Sequence, residues 1–250
     1  MEPVSKLPDA PARTDHNVWL KILPLQPDRS NTLRPGQTSP VLRLKVFIEL
    51  NFKIVKNKIV NIEKAQRYLG KVDQQTLYHA IMSLEPEAWH EQLSRQQNYE
   101  VHKDTESILL LFCDETWPNG EVHREAGWDH LATAAIPLVN YIIEKYYTPG
   151  GIVIRAMAAK LKAGGRINPH IDALESFHMS HRIHVPITSN PAVRFMIEGK
   201  PYQFEVGKAY EINNQKKHSV LNMSKEDRIS FIFDYVPPDP LKPQSPQPGP

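Results

Sequence analysis

From Ile152 to Tyr235 the chain is broken into short apolar runs that alternate in parity and stop at Gly, Pro or Asn, and this punctuation constrains the fold more than any other feature. Alternation with period two puts successive side chains on opposite faces, and the interruptions mark turns. Candidate strands fall at Ile152–Leu161, His181–Thr188, Val193–Ile197, Tyr202–Val206, Ala209–Ile212, His218–Asn222 and Arg228–Tyr235. Seven or eight strands of this kind suggest a jelly roll.

Upstream the pattern is mixed. A β-rich stretch at Leu42–Val60 passes into predicted helices at Ile62–Leu69, with Gly70 as its C-terminal stop, and at Gln74–Leu84. Ser107–Phe112 reads as an extra strand. Trp128–Tyr147 is the longest helical pattern, with Leu131, Ala135, Leu138, Ile142 and Tyr146 at helical spacing and Pro137 expected to kink it. The expected class is mainly β with flanking helices that buttress one sheet from outside. The division reads as a loosely ordered arm over 1–40, a mixed part over 41–150, a jelly-roll core over 151–236 and a proline-rich tail over 237–250.

Within the strand-rich part lies Arg166-Ile-Asn-Pro-His170-Ile-Asp172, answered by His218. His170 and Asp172 are two apart, so on extended backbone they face the same way, and a distant imidazole completes a two-histidine, one-carboxylate set that leaves coordination positions open. With 11 histidines in the chain an HxD pair alone is weak. The context adds Arg228 and Ser230, which share the polar parity of their strand; a planar cation beside a hydroxyl suits a carboxylate, and a hairpin from His218 would bring the pair toward the metal.

Taken together, His170, Asp172, His218 and Arg228, with Arg182-Ile-His184-Val-Pro186 and Gly207 between them, resemble the aspartyl/asparaginyl β-hydroxylase-like group of 2-oxoglutarate-dependent Fe(II) oxygenases. The resemblance covers roughly Ile152–Val236 and implies a double-stranded β-helix whose mouth holds the metal. It further implies Fe(II) on His170, Asp172 and His218, 2-oxoglutarate with its distal carboxylate on Arg228, dioxygen as co-reactant, and Arg182 and His184 facing the pocket toward cosubstrate or substrate. Asp172 stands where animal members carry glycine, and Ala159 stands where they carry a serine, a hydroxyl that Ser230 would replace.

The expected substrate is a free amino acid, a peptide or a protein residue, hydroxylated at an aliphatic carbon, with Arg182 gripping its carboxylate. Aromatic walls suited to a nucleobase are not evident at pocket parity, and a net charge of +2 does not call for a polyanion, so nucleic acid is not indicated. No apolar run is long enough for a membrane span and the start lacks a signal peptide, from which a cytoplasmic location is inferred. The lone Cys113 reads as a buried structural thiol. His178 and His181 crowd the same region without being needed as ligands, and Arg95–Ser107 is a candidate for substrate recognition or an ordinary structural turn. The rival reading is a cupin-like metal-dependent binding protein or isomerase that oxidises nothing; a third is an inactive module recruiting a partner through the tail.

Overall fold

A computed structural model describes residues 59–91 and 102–238. The expected arm at 1–40, the β-rich stretch up to Lys58, the segment from Arg95 to Val101 and the tail beyond Pro238 lie outside the described residues.

Among the described residues eleven strands form two antiparallel sheets. In chain order they are β1 (Gln66–Lys71), β2 (Thr105–Cys113), β3 (Val122–Arg124), β4 (Ile152–Leu161), β5 (Arg166–His170), β6 (His181–Pro186), β7 (Val193–Ile197), β8 (Lys200–Tyr202), β9 (Lys208–Ile212), β10 (His218–Asn222) and β11 (Arg228–Val236). The large sheet runs β1-β9-β6-β11-β4-β2-β3 and the small one β5-β10-β7-β8. From β4 onward the chain crosses repeatedly between the sheets, with β4, β6, β9 and β11 in one and β5, β7, β8 and β10 in the other. That strand order is a double-stranded β-helix, so the fold is the jelly roll with β2 as an extra strand on its large sheet.

The helices are α1 (Gln75–Met82), α2 (Gly127–Tyr146) and the short α3 (Glu175–His178). Leu77 and Ile81 of α1 and Leu131, Ala135, Leu138 and Ile142 of α2 cover the outer face of the large sheet, where Ile183, Val185, Ile229, Phe231 and Phe233 point. Each such Leu, Ile, Val or Phe side chain contributes roughly 1.5–3 kcal/mol when taken fully out of water. Helix α2 continues through Pro137, which is solvent-exposed along with Thr133, so the carbonyl that proline leaves unbonded faces water. No described helix is long and apolar enough to cross a membrane.

A second core fills the space between the sheets, with Leu161, Tyr210 and Ile212 from the large sheet meeting Val193, Phe195, Ile197, Phe204 and Val220. Strand β11 is therefore buried on both faces. Its outward residues are Ile229, Phe231, Phe233 and Tyr235, while the inward ones are Arg228, Ser230, Ile232 and Asp234. Three inward positions out of four being polar is a pattern that packing alone does not call for.

Several expectations are corrected. The helix expected at Ile62–Leu69 is irregular chain followed by β1, which pairs with β9 at the edge of the large sheet; sheet pairing outweighs a short helical pattern. Gly70 is not a helix stop. It sits at a register shift with φ +132°, and a Cβ there would stand 2.1 Å from the Tyr146 hydroxyl. The strand expected at Tyr202–Val206 is only β8, ending at Tyr202, because Phe204 leaves the ladder to stack between Phe195 and Tyr210. Strands β3 and β5 and helix α3 were absent from the expected elements. Strand β10 does not form a hairpin with β11: the two lie in opposite sheets, and Arg228 faces the interior because the sheets face each other.

Candidate active site

His170 is the last residue of β5, and His218, the first of β10, is its register partner in the small sheet. Their rings stand 4.3 Å apart between centroids. Asp172 lies two residues beyond β5, its backbone N–H donated to the Asn214 carbonyl at 3.1 Å. Among the described residues this is the one group of potential metal ligands, with ligand atoms all within 4.8 Å of one another.

The protonation pattern suits coordination. His170 Nδ1 donates to the Asn168 carbonyl at 2.8 Å and His218 Nδ1 to the Lys216 carbonyl at 2.9 Å, which leaves Nε2 of each ring as the lone pair. Burial pushes the His218 imidazole below its ordinary value and so keeps it neutral. For Asp172, burial by itself would raise the carboxyl, but the Arg182 charge, with a hydrogen bond from Asn214, holds it below the usual carboxylate range.

On the inner face of β11, Arg228 is buried, and burial alone depresses its guanidinium to about 10. No carboxylate among the described residues pairs with it. The Ser230 hydroxyl and both ring nitrogens of His184 are also buried without a hydrogen-bond partner among the described residues. His184 is held well below its ordinary value by burial first and then by the charges of Arg228 and Arg182. Three orphaned polar groups around a lone cation are expensive to keep unless something binds them. They fit an anionic ligand. A small pocket reaches Arg228, lined in part by Asn190, Phe195, Tyr202 and Phe204.

Arg182 does not serve as expected. Its Nη1 donates to Asp172 Oδ2 at 2.7 Å, and its Nε and Nη2 both donate to Asp234 at 2.8 Å. Two buried carboxylates thus occupy the fork that was to grip a substrate carboxylate. His181 also leaves the site: it bonds Glu211 and packs on Tyr147 beyond the outer face of β6. His178 closes α3, its carbonyl accepting the Val60 N–H at 2.8 Å. From the Arg95–Ser107 segment, His102 reaches the site, with its ring edge-on to His170 at 6.0 Å.

Aromatic rings do line the interior, contrary to expectation: Phe195 stacks parallel to His218 at 6.3 Å and on Phe204 at 4.6 Å, and Phe204 stacks on Tyr210 at 4.7 Å. Phe195, Phe204 and Tyr210 thus stack on one another. Sequence reasoning missed Asp234, Arg155 and Asn214. Asp234 had a signal, since it shares the inward parity of Arg228 and Ser230; Asn214, in the turn before β10, had none.

Against this geometry, a family model described as aspartyl/asparaginyl beta-hydroxylase matches residues 78–238. No curated protein matches the sequence. Among solved structures, the chain is similar to an oxidoreductase of the 2OG-Fe(II) oxygenase family from Burkholderia pseudomallei, with 12% identity and a TM-score of 0.43 over 54% of this chain and 69% of that one. A viral collagen prolyl hydroxylase from Paramecium bursaria Chlorella virus-1, in its 2OG complex, gives 10% identity and a TM-score of 0.42 over 71% and 98%. A nickel complex of the non-heme monooxygenase ThoJ gives 14% and 0.42 over 69% and 74%. At such scores the fold assignment rests on strand order. The family match spans well over half of the sequence, and the chain belongs to the aspartyl/asparaginyl β-hydroxylase family and is a hydroxylase.

Proposed function

We propose that this hydroxylase depends on Fe(II) and 2-oxoglutarate and acts on an aliphatic carbon of an amino-acid-type substrate, free or within a peptide or protein. The observation that carries the reading is the buried cation Arg228, without a partner among the described residues, in the same interior as a cluster of ligand type His, Asp, His. A barrel that only held a metal would have no use for it.

His170 and His218 through Nε2, with one oxygen of Asp172, would hold the iron. When bound, Fe(II) with 2-oxoglutarate and dioxygen supplies the oxidation that turns a C–H bond into an alcohol as 2-oxoglutarate becomes succinate and carbon dioxide. The chain's own contribution is binding and orientation. Arg228 and Ser230 take the distal carboxylate by a charge-assisted contact and a hydroxyl hydrogen bond, at a depth where neither group is screened by water. His184, neutral, adds a hydrogen bond without adding charge. Phe195 and Phe204 keep water from this end of the pocket.

The substrate class is supported by the family's description rather than by Arg182, whose fork is already occupied. Nucleic acid has no part in this reading, and the single, buried Cys113 agrees with a reducing, cytoplasmic setting. The test is a screen of amino acids, short peptides and cell extract for substrate-stimulated succinate formation, with mass spectrometry following a gain of one oxygen. A hydroxylated amino acid or residue is the expected product. Succinate formation stimulated only by compounds without an amino-acid unit would refute the substrate class, and metal binding without any 2-oxoglutarate turnover would favour a non-oxidative cupin.

A further inference from the structure

We infer that Arg182 is a positioning residue: clamped onto Asp234, it fixes the Asp172 carboxylate so that a single oxygen faces the metal. The inference rests on the metal reading of His170, Asp172 and His218 given above.

The geometry divides the two oxygens of Asp172. Oδ2 accepts from Arg182 Nη1 at 2.7 Å and from Asn214 Nδ2 at 3.2 Å. Oδ1 lies 3.7 Å from His170 Nε2 and is the oxygen left for the cluster. Asp172 stands past the end of β5, where no ladder holds it, and a carboxylate turns easily about its last torsion. Without Arg182 only Asn214 would orient it.

Arg182 can orient a partner because it is itself fixed. Its two parallel bonds to Asp234 form a bidentate fork, the arrangement that restrains a guanidinium in plane as well as in place. Asp234 is fully buried and accepts a further bond from Arg155 Nη1 at 3.2 Å, while Arg155 Nη2 donates to Ser176 Oγ at 2.7 Å. The Phe177 ring lies against both guanidinium groups, at 4.1 Å from Arg155 and 4.5 Å from Arg182. This row exists because the large sheet puts Arg155 opposite Asp234 and Asp234 opposite Arg182 in register. Three central strands thereby brace one ligand on a loop of the small sheet. Two cations meet two anions, so the row is neutral before a metal enters.

A carboxylate with one oxygen tied to the protein binds a metal through the other, which keeps the remaining coordination positions open. Lysine cannot replace the fork, since a point charge does not bridge two carboxylates in a fixed plane.

The test measures binding of Mn(II) alone to wild type, Arg182→Ala and Arg182→Lys, with circular dichroism and thermal melts establishing that each is folded. Both variants should lose about 10- to 100-fold in Mn(II) affinity, the range for partners that orient a metal ligand. The d–d absorption of Co(II)-loaded protein should change in the same variants, as Asp172 becomes free to turn or to bind through both oxygens. Folded variants with wild-type Mn(II) affinity and an unchanged Co(II) spectrum overturn the clamp and leave the metal site standing. Should Arg182→Ala not fold, Arg182→Lys decides by the same criteria. A wild-type protein that binds no Mn(II) overturns the metal reading itself, and the clamp with it.

Discussion

Replacing Arg228 by methionine should make the ligand-free protein more stable while disabling the proposed cosubstrate site. Burial drives the Arg228 guanidinium well below its ordinary value, to about 10. At about 1.4 kcal/mol per pH unit, holding the charge there costs roughly 3 kcal/mol. No carboxylate among the described residues offsets that cost. Methionine keeps an unbranched apolar stem of similar reach, so most of the packing survives and the charge goes. For a chain of this size roughly 2–4 °C of melting temperature accompanies each kcal/mol, so the variant should melt up to about 6–12 °C above wild type. Its affinity for 2-oxoglutarate should fall by about 2–5 kcal/mol, a loss of roughly 30-fold or more. The assay is a thermal melt with Mn(II) in place of iron, with and without 2-oxoglutarate, supported by calorimetry of 2-oxoglutarate binding. Wild type should be stabilised by the ligand and the variant should not respond to it. A variant that melts several degrees below wild type would show that the charge has a favourable partner in the fold. Unchanged 2-oxoglutarate affinity would remove Arg228 from the site.

Two further outcomes follow from single groups. Ser230→Ala removes a buried hydroxyl without a partner among the described residues, so chemical denaturation should show stability unchanged or raised by up to about 1 kcal/mol, while calorimetry shows weaker 2-oxoglutarate binding. Glu106 is pulled two ways: burial would raise its carboxyl, but hydrogen bonds from Lys160 and Lys162 hold it at about 2. A depressed folded value means a contribution present above the ordinary carboxylate range and lost as pH falls toward about 2. Glu106→Gln should accordingly cost about 1 kcal/mol at neutral pH, allowing for solvent screening, and nothing near pH 2, as urea titrations at the two pH values would show.

Much of this was legible in the sequence because the jelly roll is written in period-two runs: β4, β7 and β10 fall on the expected residues, and β11 differs by one. His170, Asp172 and His218 were legible as chemistry from residue types, and the structure brings them together. The inward orientation of Arg228 was legible from parity, and the structure leaves it buried with no carboxylate partner among the described residues. Arg182 was misread for an instructive reason. Its parity correctly put it indoors, yet parity says nothing of which acid it will meet, and Asp234 sits 52 residues away on a strand whose pairing with β6 only the sheet order reveals. Asn214 was invisible because its role comes from the turn that carries it beneath Asp172. Strand β1 was misread because an edge strand borrows its pairing from β9, and six residues are too few to separate helical from strand periodicity.

The most direct test of the central claim is the visible absorption of the protein with Fe(II) and 2-oxoglutarate under anaerobic conditions. A charge-transfer band should grow to saturation with 2-oxoglutarate in wild type, be absent in His170→Ala and His218→Ala, and need at least about 30-fold more 2-oxoglutarate in Arg228→Met. Wild-type protein shown to be loaded with iron that develops no such band at saturating 2-oxoglutarate would contradict the claim.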